Sequence, residues 1–141
     1  MFKKILVPVD GSANSVRALK TAHSMAEQYG AEITLVNVVS LPTGNAAFAS
    51  ELGVIPGNVV EALEKEAEAM LAKASEEFAE LAVTKVVRTG NPAGEILQEL
   101  KNGYDLVIMG SRGLGTVQGF LMGSVSDKVT HYAKCTVMLV H

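Results

Sequence analysis

Five glycines fall within one fifteen-residue stretch, Gly110-Ser111-Arg112-Gly113-Leu114-Gly115-Thr116-Val117-Gln118-Gly119-Phe120-Leu121-Met122-Gly123-Ser124. Glycine gives up more backbone freedom on folding than any other residue, so such a run implies a need for bare main chain. Without side chains in the way, successive N–H groups can converge on one concavity and bind phosphate oxygens. The stretch then runs into an expected helix start at Gly123 and Ser124, where unpaired N–H groups and the positive end of the helix dipole favour a second anion contact. Hydroxyls on Ser111, Thr116, Ser124 and Ser126, with the guanidinium of Arg112, supply further donors. This is the chemistry of a polyphosphate site. The competing reading is a flexible surface loop in which Ser124 merely caps a helix.

Two familiar phosphate patterns are absent. No Gly-x-x-x-x-Gly-Lys-Ser/Thr occurs, and Gly113-x-Gly115 is followed by glycine at 119 rather than 118, so the dinucleotide fingerprint is off by one. The chain ends after one more helix and strand, with no place for the acid that fingerprint needs downstream, which argues against NAD or FAD. His23, His131 and His141 have no Cys, Asp or Glu at metal-like spacing and are read as packed or solvated. Cys135 opens an apolar run and is read as a small buried hydrophobe. The glutamates and Lys65 between residues 61 and 68 are read as a solvated helix face, and the six methionines as core filling.

The elements that must hold the glycine stretch follow from periodicity. Apolar runs of strand length lie at Ile5 to Val9, Ile33 to Val39, Val83 to Val87, Leu106 to Met109 and Thr136 to Val140, and read as strands buried on both faces. Helical spacing predicts helices from Ala13 to Tyr29, stopped by Gly30; from Asn58 to Leu81; from Pro92, capped by Asn91, to Asn102 and Gly103; and from Ser124 to Ala133, with Asp127 completing a capping box. Strand and helix alternate, which predicts an α/β fold with a parallel sheet covered on both sides. Strand order 3-2-1-4-5 puts the reversal of winding between the first and fourth strands, where the loops starting at Asp10 and Gly110 meet. Residues 40–57 form a long irregular segment, either a lid or a passive connection.

Composition bounds the rest. The chain has 141 residues, 48% hydrophobic and 19% charged, with a formal charge of −3, which fits one domain over 1–141 and excludes a disordered tail or a strongly basic nucleic-acid binder. No apolar run approaches the length of a membrane span, and no signal-peptide pattern opens the chain, so a cytoplasmic location is expected with neither membrane nor nucleic acid as partner. The last strand, Thr136 to Val140, is an expected sheet edge without proline or lysine, which invites pairing with a second copy.

The spacing Gly110-x2-Gly113-x9-Gly123-Ser124, joined to Ile5-Leu-Val-Pro-Val-Asp-Gly-Ser12, resembles the universal stress protein family in its ATP-binding branch, over essentially the whole chain. The resemblance implies a Rossmann-like fold, a stress-response role and ATP as ligand. It implies that Gly110, Gly113, Gly123, Ser124, Val125 and Ser126 touch phosphates and ribose, and that Pro8, Asp10, Val38 and Met109 surround adenine and ribose. It also points to a homodimer through the last strand. Asp10 then has two readings: a turn former, or a carboxylate that bonds ribose or adenine, or holds Mg²⁺ through water beside the phosphates. The favoured function is a nucleotide-dependent regulatory switch with at most slow ATP hydrolysis, since no residue of the glycine stretch stands out as a general base. The rivals are an ATP-hydrolysing enzyme and a dimeric interaction protein that binds no nucleotide.

Overall fold

The computed structural model describes residues 1–40, 57–113 and 122–141. Five strands form one parallel sheet: β1 (Lys4–Pro8), β2 (Glu32–Val39), β3 (Val83–Thr89), β4 (Leu106–Gly110) and β5 (Thr136–Val140), in the order β3-β2-β1-β4-β5. The order is the one expected, and the reversal of winding falls between β1 and β4. Among the described residues four α-helices connect the strands: α1 (Ala13–Tyr29), α2 (Gly57–Ser75), α3 (Pro92–Leu100) and α4 (Ser124–Tyr132).

Alternation along the strands divides the core in two. Ile5, Val7, Ile33, Leu35 and Ile108 turn to one face and pack with Ala18, Ala22 and Ala26 of α1 and Leu71 of α2. Leu6, Val36, Val107 and Met109 turn to the other and pack with Ile96 of α3 and Val129 of α4. Burial on both faces therefore holds for the three inner strands. It fails at the edges: Thr84 and Lys85 of β3 are exposed, and most of β5 is only half-buried, because an edge strand has a neighbour on one side only.

The helix ends explain how the chain enters the site. Ser12 caps α1, its hydroxyl accepting from Ser15 N at 3.1 Å, and Gly30 ends it in the left-handed conformation at φ 65°. Asn91 caps α3 by accepting from Gly94 N at 3.0 Å, with Pro92 in the first turn. The long helix closes earlier than expected, at Ser75, and passes into a 3-10 turn at Glu76–Phe78 that buries Phe78. The expected capping box at Ser124 does not form. Gly123 occupies the capping position without a side-chain bond, and Ser124 is already helical.

Candidate functional site

The carboxyl ends of β1, β2 and β4 open into a cavity of about 390 Å³ at the reversal of strand order, the place where open α/β sheets leave a crevice. Pro8 and Asp10 reach it from the end of β1, and Val38 from β2. Met109, Gly110, Arg112 and Gly113 come from the end of β4, and Gly123, Ser124, Val125 and Ser126 from the start of α4. Eleven of the twelve residues singled out from the sequence thus line one cavity. Thr116 and the loop residues 41–56 lie outside the described residues.

Ser111 is the exception. Its side chain is fully buried, and it does not line the cavity. Its main chain instead clasps three elements: Ser111 N donates to Val140 O at 2.8 Å, while Ser111 O accepts from Gly123 N at 2.7 Å and from Ser126 Oγ at 2.7 Å. Its own Oγ has no hydrogen-bond partner among the described residues. The Ser126 hydroxyl, expected as a ligand donor, is spent inside the protein on Ser111 O and on Gly123 O at 3.0 Å.

The glycines serve different needs. A Cβ at Gly113 would collide with Asp10 Oδ2, so bare backbone there is what lets the glycine stretch lie against that carboxylate. A Cβ at Gly110 would come within 2.7 Å of Asn14 Cβ and 2.9 Å of its carbonyl carbon. That glycine is therefore required by the close approach of β4 to α1, whatever the cavity holds.

Asp10 makes the turn that the plainer reading expected. Its Oδ1 accepts from Ser12 N at 2.9 Å, across Gly11 at φ 82°. It shares the cavity wall with the start of α4 and with Arg112, which is exposed. At that helix start, Gly123 N is used by Ser111 O, and the first intrahelical bond runs from Asp127 N to Gly123 O at 2.9 Å. Among the described residues the N–H groups of Ser124, Val125 and Ser126 have no acceptor. They are the orphan donors of an uncapped helix, lining a cavity at the positive end of its dipole.

The opposite wall is apolar. Val36, Val38, Ile96, Met109 and Val125 extend the α3/α4 core up to the cavity, with Pro92 beside them. Behind this wall Arg88 of β3 donates to Glu95 at 2.8 Å and to the buried Glu99 at 2.8 Å, and Tyr104 donates to Glu99 at 2.9 Å. The bond to Glu95 leads in holding the Arg88 guanidinium above its ordinary range, and burial leads in raising the Tyr104 hydroxyl. The network fixes α3, which presents Pro92 and Ile96, against the sheet.

Sequence reasoning passed over Asn37, Met70, Pro92 and Ile96, all of which line the cavity. Asn37 carried a signal: it is a lone amide inside the apolar run from Ile33 to Val39. Of the methionines read as core filling, Met70 and Met109 lie on the cavity wall, while Met1 and Met122 are exposed. His23 packs on Phe78 with ring centroids 5.7 Å apart, and Cys135 is half-buried, its thiol raised chiefly by burial.

A doubly wound parallel sheet with its cavity at the switch point defines a Rossmann-like α/β protein. The chain belongs to the universal stress protein family, whose family model matches residues 1–141. It is 32% identical over 147 residues to the universal stress protein YxiE of Bacillus subtilis, covering 99% of both chains. With a universal stress protein of Thermus aquaticus it shares 35% identity over 149 residues, again covering 99% of each. Among solved structures, the hypothetical protein MJ0577 superposes with a TM-score of 0.85 at 26% identity, covering 99% of this chain and 96% of that one. A universal stress protein in complex with cAMP superposes at 0.71 and 24% identity, covering 99% and 97%. One from Archaeoglobus fulgidus in complex with dAMP gives 0.65 at 20%, covering 99% and 98%.

Proposed function

We propose that the protein is a nucleotide-dependent regulatory module of the stress response, a homodimer that holds ATP in the cavity between Asp10 and the start of α4 and hydrolyses it slowly at most. The observation that carries this reading is the uncapped start of α4. Three uncommitted N–H groups line a cavity beside glycine backbone, and a phosphate supplies the acceptors they lack. The apolar wall of Val38, Met109 and Ile96 suits the faces of a base, and Asp10 suits a ribose hydroxyl. Two proteins of the same fold were solved in complex with cAMP and dAMP, which supports an adenine nucleotide as the ligand class.

The donor set also fits magnesium carried on the phosphates. One carboxylate, that of Asp10, reaches the cavity, and Mg²⁺ commonly takes one or two protein carboxylates, water and phosphate oxygens rather than an all-protein cage. Asp10 would hold the ion through water, and the ion would neutralise phosphate charge. For hydrolysis, Arg112 can stabilise charge, but no described residue of the cavity wall is a histidine or glutamate able to act as general base.

Dimerisation is assigned to β5. It is a sheet edge of apolar residues, whereas the opposite edge, β3, carries the exposed Lys85 and the paired Arg88, and lysine on an edge discourages pairing. Sedimentation at micromolar concentration should give a dimer, and a monomer removes this part of the reading.

The nucleotide assignment is tested by denaturing purified protein and chromatographing the supernatant on an anion exchanger, together with calorimetry of ATP and AMP with and without Mg²⁺. ATP should bind at least about tenfold more tightly than AMP, the equivalent of about one charge-assisted hydrogen bond. Protein that carries no nucleotide and gives no heat with ATP refutes the reading. Phosphate release at many turnovers per second, abolished in Asp10→Ala, would replace it with an enzyme.

A further inference from the structure

The cavity wall holds one amide whose hydrogen bonding is half complete. Asn37 sits on β2 on the face that upstream carries Ile33 and Leu35 into the core, where packing alone asks for an aliphatic side chain. It is 9% exposed and lines the cavity. Its Nδ2 donates to Val9 O at 2.6 Å and approaches Met70 Sδ at 3.3 Å. A carbonyl oxygen at that distance can face only the NH₂ end of the amide, so the orientation of the side chain is fixed by chemistry. The donor end is thus committed to the strand end that leads into Asp10. The acceptor end, Oδ1, receives no hydrogen bond among the described residues. That oxygen is not sealed off from the cavity that Asn37 lines, so a donor on a bound ligand can take the place of water there.

We propose that Asn37 is a specificity-determining residue of the site: its amide oxygen accepts a hydrogen bond from an N–H or O–H donor of the bound nucleoside, while its amide nitrogen holds the Val9–Asp10 turn in register. The inference rests on the nucleotide reading above. Two groups of an adenine nucleoside have the required chemistry, the exocyclic amine of the base and a ribose hydroxyl. Replacing the amine by a carbonyl sets acceptor against acceptor, and deleting the hydroxyl removes the donor. Either change leaves Oδ1 buried beneath the ligand without a partner, which is the situation in which discrimination is strong.

Calorimetry of the full chain with ATP, inosine triphosphate and the 2′- and 3′-deoxy forms of ATP reads the effect. ATP should be preferred over at least one of the three analogues by about three- to tenfold or more, the range expected for one buried hydrogen bond. Asn37→Ala should bring that ratio to within about twofold while the other ratios hold. Asn37→Asp keeps an acceptor and loses the donor, so it should retain the preference while binding every ligand more weakly; Asn37→Ser serves if circular dichroism shows either variant unfolded. A wild-type protein that binds ATP and all three analogues equally overturns the role of Asn37 without touching the site, as do ratios unchanged by Asn37→Ala. A wild-type protein that binds none of them removes the site and this inference together.

Discussion

Gly113 and Gly110 stand three residues apart in one motif, and the structure gives them separable duties that two alanine substitutions should pull apart. In Gly113→Ala the new methyl collides with Asp10 Oδ2, on a side chain whose other oxygen is tied to Ser12 N. Either the carboxylate swings from its place on the cavity wall or the glycine backbone moves outward. Each route removes about one charge-assisted contact to the ligand, about 1.5–3 kcal/mol, or roughly ten- to hundredfold in Kd. Stability should barely change. Gly113 is exposed and lacks a positive φ, so alanine also restricts the unfolded chain, a gain of about 0.4–1 kcal/mol. In Gly110→Ala the methyl meets Asn14 Cβ at 2.7 Å and its carbonyl carbon at 2.9 Å. Helix backbone cannot step aside as a carboxylate can. Overpacking of this kind costs about 1–3 kcal/mol, which for a chain of this size lowers Tm by about 3–10 °C. Differential scanning fluorimetry and calorimetry on the same preparations check both halves. In Asp10→Ala the obstacle is gone, and adding Gly113→Ala should cost little more, so the two changes should be strongly non-additive. The reasoning fails if Gly113→Ala binds ATP like the wild type, or loses as much Tm as Gly110→Ala.

The network behind the apolar wall yields a second stability prediction. Glu99→Ala strands the Tyr104 hydroxyl and one arm of Arg88; with Arg88 about a quarter exposed, the loss should be about 2–3 kcal/mol, below that of a fully buried pair, and visible as a fall of about 6–10 °C in Tm. Alkaline denaturation gives a third. Burial leads in raising the Tyr104 hydroxyl above its ordinary value of 10.0, so the native state keeps this proton where the unfolded chain loses it. The stabilisation is intact below about pH 10 and disappears as pH rises through the native pKa. Urea titrations should show the wild type losing stability more steeply than Tyr104→Phe above pH 10, and parallel profiles would contradict the assignment. A fourth concerns Cys135, whose raised thiol pKa keeps the thiolate scarce. Disulfide-exchange reagents at pH 8 should label it more slowly in the native protein than in urea, and equal rates would show the thiol to be unperturbed.

The strand order and the meeting of the Asp10 and Gly110 loops were legible in advance, because apolar runs of strand length alternating with helical periods leave few right-handed arrangements. The cavity wall was legible where one residue type does one thing: glycine for bare backbone, and an aspartate at a strand end. It was illegible where a residue's use depends on a partner far along the chain. Ser111 looks like one more hydroxyl in a polar stretch, yet it is swallowed because Val140 O and Gly123 N meet it from both sides. Gly110 was grouped with the phosphate glycines, although its cause is Asn14, 96 positions earlier, pressing from α1. Ser124 looked like a cap because serine favours that position. The Ser111 carbonyl instead draws Gly123 N, so Gly123 takes the capping position and the first N–H groups of the helix stay open.

The Ser111 clasp also bears on how the family can vary. Chain leaves the sheet at Ser111 and returns at Gly123, and those two residues are joined directly by a 2.7 Å hydrogen bond. Chain joined at such a neck can gain or lose residues at modest entropic cost, since closure entropy grows only with the logarithm of length. Insertions and deletions between these residues should therefore leave the last helix seated where it is.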